Sequence, residues 1–70
     1  MTTKQKFQNH FEIIKMNRNS LTITDGKEMY YIHRNAYNQL PNAVDYRIVD
    51  KQCPNGMMTK WIEVLVWTSI

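Results

Sequence analysis

Cys53 is the only cysteine in this 70-residue chain, and that limits its fold more than any other feature does. A domain of this size buries only about 60% of the surface its unfolded form exposes, so small domains commonly need disulfides, a metal or a partner. One cysteine cannot close an intramolecular disulfide. His10 and His33 are the only imidazoles, too few and too scattered with Cys53 for a structural zinc site. A regular fold, self-association or both must hold the chain together.

Periodicity along the chain predicts short strands separated by turns. His10 to Met16 places Phe11 and Ile13 opposite Ile14 and Met16, and Asn17-Arg18-Asn19 follows as a turn. Ser20 to Thr24 alternates strictly, and Asp25-Gly26 is the strongest hairpin dipeptide in the chain. Glu28 to His33 sets Met29, Tyr31 and His33 opposite Tyr30 and Ile32. Alternation then stops: Asn35 to Leu40 predicts one helical turn, ended by Pro41. Val44 to Val49 and Thr59 to Thr68 are the last two strands, separated by the Cys53-Pro54-Asn55-Gly56 turn. Phe7, Phe11 and Ile14 sit at helical spacing with Thr2 or Thr3 as cap. That pattern fits a helix from Thr3 to about Asn9 feeding the first strand, or a single helix running to Met16.

The expectation is one β-rich α+β domain over residues 1–70, with 1–9 a short helix or arm and 10–70 a small antiparallel barrel of about five strands. Its core should hold Ile13, Leu21, Ile23, Ile32, Ile48, Ile62, Val64 and Val66. In the last strand Ile62, Val64 and Val66 point one way while Trp61, Leu65 and Trp67 point the other. A strand apolar on both sides must be covered on both. Trp61, Leu65 and Trp67 are therefore candidates for a protein interface, with a partner protein or a second copy, if the chain itself does not cover them.

Residues 11–31 resemble the opening of SH3-like small barrels, including KOW-type modules. The matching pieces are Ile13-Ile14-Lys15, Asn17-Arg18-Asn19, the alternating Ser20-Leu21-Thr22-Ile23-Thr24, Asp25-Gly26 and Met29-Tyr30-Tyr31. The resemblance implies a small barrel; the glycine that usually opens a KOW motif is absent. In size and style the chain also resembles the compact accessory proteins with which bacteriophages bind and redirect host proteins.

Composition narrows the functional classes. Nine basic and six acidic residues give a net charge of +3, which permits an anionic partner and argues against an acidic DNA mimic. No apolar run approaches the ~20 residues that span a bilayer, and the start of the chain lacks the apolar segment of a signal peptide. A cytoplasmic, non-membrane protein is expected. The six carboxylates form no recognisable pair, Cys53 sits in a turn, and no phosphate loop or metal spacing occurs, so neither an enzyme nor a bound cofactor is expected. Protein docking is the leading expectation. Its alternative is a nucleic-acid-binding barrel using Arg18, Tyr30, His33, Arg34, Tyr37 and Arg47, with Tyr31, Lys15 and Lys51 nearby.

Overall fold

The computed structural model describes residues 2–66; Trp67 lies outside the described residues. Helix α1 spans Thr3–His10. Its start is fixed by a reciprocal cap: the Gln5 amide N–H donates to Thr2 Oγ1 at 3.1 Å, and the Thr2 N–H donates to Gln5 Oε1 at 2.9 Å. It stops at Phe11, whose backbone is extended, so the helix does not run on to Met16.

Strands β1 (Glu12–Met16), β2 (Ser20–Thr24) and β3 (Met29–His33) form an antiparallel meander. Helix α2 then spans Arg34–Gln39 and a 3-10 turn Leu40–Asn42. His33, not Asn35, occupies its cap position, without a side-chain bond. Strands β4 (Ala43–Gln52) and β5 (Met58–Val66) make a long hairpin. Gly26 and Gly56 supply the positive φ, +96° and +88°, that the β2–β3 and β4–β5 turns require. No other described residue adopts positive φ, so the Asn17–Asn19 turn closes without a left-handed asparagine.

The sheet order is β1-β2-β3-β5-β4. Because α2 carries the chain across, β4 takes the far edge and β5 returns beside β3, paired parallel at Tyr31 and Trp61. The described strands thus form an open, mixed sheet edged by β1 and β4, not the closed antiparallel barrel the sequence predicts. The parallel pairing is a direct result of the helical crossover.

One face of the sheet meets α1, α2 and the 3-10 turn. Phe7, Phe11, Leu21, Ile23, Tyr30, Ile32, Leu40 and Ile62 are buried there, with Ala36, Tyr37, Tyr46 and Val64 packed around them. Phe7 is the hub: its ring lies 5.0 Å from Phe11, 5.5 Å from Tyr46 and 6.1 Å from Tyr37. Three residues expected in the core are not in it: Ile13, Ile48 and Val66 are 37%, 47% and 40% exposed. An eight-residue helix is only about 12 Å long. It lies against the start of β4, where Thr3 Oγ1 donates to the Ala43 carbonyl and the Phe7 ring meets Tyr46, and leaves Ile13 on β1 and Ile48 further along β4 exposed.

The β2–β3 turn is tied down electrostatically. The Tyr30 hydroxyl donates to Asp25 at 3.0 Å and Glu28 at 3.1 Å, and Lys60 donates to Glu28 at 2.7 Å. Backbone N–H groups of Glu28 and Lys27 hold the Asp25 carboxyl down to about 2 from 3.8. Burial and these two carboxylates push the Tyr30 phenol up to about 12 from 10.0. Asp25 therefore stabilises the fold fully above pH 3.8, and that contribution is lost as pH falls through about 2. Tyr30 contributes fully below pH 10.0 and loses its contribution as pH rises through about 12. Urea midpoints measured across pH should fall at both ends, and Asp25→Asn should flatten the acid arm. An unchanged acid arm in that variant would refute this role.

Candidate binding face

Strand alternation assigns each side chain to a face. Tyr30, Ile32 and Ile62 enter the core, so Met29, Tyr31, His33, Thr59, Trp61, Glu63 and Leu65 lie on the other side. Strand pairing lines up Lys15, Thr22, Tyr31, Trp61 and Val49, one from each strand, in a row across that side. The helices send their apolar side chains to the core, so the strands and the turns at their ends supply most of this face.

Trp61 is its centre. The ring stacks on His33, with centroids 4.4 Å and planes 27° apart, and meets Tyr31 at 5.4 Å and 36°. The Lys51 ammonium lies 5.0 Å from the ring centroid. The indole N–H donates to Thr59 Oγ1 at 2.9 Å. With its polar atom satisfied inside the chain, Trp61 is a fixed π surface.

Three depressions join along this face. The first, about 490 Å³, is lined by Tyr31 and Trp61 together with Asn17, Lys51, Gln52 and Pro54. One of about 510 Å³ continues from Tyr31 and Thr59 past Met29 and Met58. Another, about 260 Å³, runs from Lys51 and Trp61 past His33 and Val49 to Ala36, Ile62 and Val64, at the border with the core side. Ion pairing engages Arg47 with Glu63 at 2.6 Å. Lys15 and Lys51 have no carboxylate partner among the described residues.

The residues singled out from the sequence fall in different places. His33, Arg47, Trp61 and Leu65 share the open face, with Leu65 37% exposed. Tyr30 does not: it is 4% exposed and belongs to the core, leaving no free ring for a base. Tyr37 packs edge-on against Phe7 on the core side. Arg34 is a strut, its Nη2 donating to the Asn17 carbonyl at 2.6 Å and its backbone N–H to the Asn19 carbonyl at 2.9 Å. Arg18 is exposed in the β1–β2 turn. Asn17 and Gln52 carry no sequence signal as site residues; the fold brings them to one cavity.

Among the described residues the Cys53 thiol has one hydrogen-bond partner, the Thr59 hydroxyl, at 3.8 Å. Asp25 and Glu28 converge on Tyr30, but both carboxyls are shifted down rather than apart, unlike an acid/base pair. No group of three His, Cys, Asp or Glu among the described residues could hold a metal. No described helix is long and apolar enough to cross a membrane. Compared with known proteins, the chain matches no family model, no curated protein and no solved structure.

Proposed function

We propose that the protein is a non-enzymatic binding module that takes up single-stranded nucleic acid on the open sheet face. The row Tyr31–Trp61–His33 carries this reading, flanked by Lys15 and Lys51, which have no carboxylate partner among the described residues. Bases stack on aromatic side chains of sheet faces while nearby cations follow the phosphates. Thr59, Arg47 and Glu63 make the face more polar than the centre of an obligate protein interface, where charge is depleted. Docking of a protein, a second copy included, is the competing reading. It draws on Leu65 and Met29, which lie on the same face 37% and 53% exposed.

Anisotropy of a labelled oligonucleotide, titrated at about 50 and 200 mM salt, tests the proposal. Two lysine–phosphate contacts at a slope of about −0.7 each make binding about sevenfold weaker at the higher salt. Absence of binding at the lower salt refutes the proposal. A concentration-dependent dimer in sedimentation would then assign the face to a second copy.

A further inference from the structure

We infer that strand β1 is a self-complementary edge, to which a second copy of the chain adds its own β1, antiparallel about a two-fold axis. The two edges of the sheet differ. At β4, α1 lies against the start of the strand, where Thr3 Oγ1 donates to the Ala43 carbonyl and Lys6 pairs with Asp45 at 3.3 Å. At β1 all five residues are exposed, Ile14 and Met16 by 50% and 64%. Glu12 and Lys15 have no charged partner among the described residues. An edge of this kind offers its main chain to another strand.

The register of β1 on β2 says which strand fits. Glu12, Ile13, Lys15 and Met16 face Thr24, Ile23, Thr22 and Leu21 in turn, so Ile14 is an extra residue, a β-bulge. The bulge leaves Glu12 and Lys15 on one side of the sheet and Ile13 and Met16 on the other. A regular strand laid along this edge would set one residue against both Ile13 and Ile14, which is how a bulge blunts an edge. A second β1 carries the same bulge. With the axis between Ile13 and Ile14, two residues meet two, and Glu12 of each copy falls opposite Lys15 of the other. Centring the axis on Glu12 or on Lys15 instead sets like charges opposite each other, which is unfavourable. Residue count and charge thus select the same register.

A five-residue strand makes a small interface, so the dimer is transient. In the low-micromolar range of an oligonucleotide titration the chain is monomeric, and Lys15 stays available to phosphate. Sedimentation equilibrium should show monomer at about 10 µM and mostly dimer at about 1 mM. Glu12→Lys and Lys15→Glu should each weaken association about tenfold, since each turns both cross-strand pairs into like charges. Melting temperatures should not change, because both side chains are exposed. An equal mixture of the two variants restores opposite charges in both pairs and should associate within about threefold of wild type. The double variant Glu12→Lys, Lys15→Glu should do the same. One reversal raises the net charge and the other lowers it, so a general charge effect would move the two in opposite directions; that result overturns the proposal. A wild-type chain still monomeric at about 1 mM also overturns it. So does a dimer that ignores both reversals, which must use another surface.

Discussion

Phe7→Ala is expected to lower stability by about 3–5 kcal/mol, the usual loss for a buried phenylalanine. A chain of 70 residues has only about 4–10 kcal/mol in total, at roughly 0.05–0.15 kcal/mol per residue. The variant should therefore be largely unfolded or close to it. Phe7 is 1% exposed and joins α1 to Phe11, Tyr37 and Tyr46. Its removal frees the helix from the sheet as well as opening a cavity. Ile13→Ala, at a position 37% exposed on edge strand β1, should lose about 1 kcal/mol or less. Urea unfolding followed by circular dichroism ranks the two. If Ile13→Ala proved the more damaging, the core would lie where strand alternation alone puts it, and α1 would not be its lid.

That contrast marks how far the sequence goes. Strand alternation and the Asp25-Gly26 and Asn55-Gly56 turns place all five strands within a few residues of where they lie. Leu21, Ile23, Ile32 and Ile62 are read correctly as core. Alternation assigns a residue to a face, but it cannot say how much of that face a helix covers. Ile48 and Val66 share a face with the core and still remain 47% and 40% exposed; α1 lies against the start of β4 through Phe7 and Tyr46, short of Ile48. The open sheet was equally hidden: whether β5 sits beside β3 or closes against β1 depends on the path of the α2 crossover, which is set by tertiary packing.

The binding face was legible in pieces. Opposing faces for Tyr30 and Tyr31 follow from the sequence, and with Ile32 in the core they put Tyr31 and His33 outside together. Tyr30 fits poorly with His33 as a joint ligand contact for the same reason. That Trp61 and His33 stack at 4.4 Å could not be read at all. It depends on the parallel β3–β5 pairing, which joins segments almost thirty positions apart.

Trp61→Ala is expected to weaken oligonucleotide binding by about 10- to 100-fold, in line with roughly 1–3 kcal/mol for each stacked base. Trp61 meets His33, Tyr31 and Lys51, so its loss removes the platform and disorganises both neighbours. Part of any loss could come from weaker folding, since Trp61 is half-buried between β3 and β4. Trp61→Phe separates the two effects. It keeps a ring for stacking but gives up the N–H bond to Thr59, and should bind within about threefold of wild type. Leu65→Ser provides the opposite control, because Leu65 shares the face but not the aromatic row. A stacking face keeps its affinity in that variant, whereas a protein interface loses most of its strength when an apolar contact becomes a hydroxyl. Anisotropy titrations of the three variants, each checked by its urea midpoint, decide the matter. Unchanged oligonucleotide affinity in a folded Trp61→Ala protein would take the aromatic row out of the binding site.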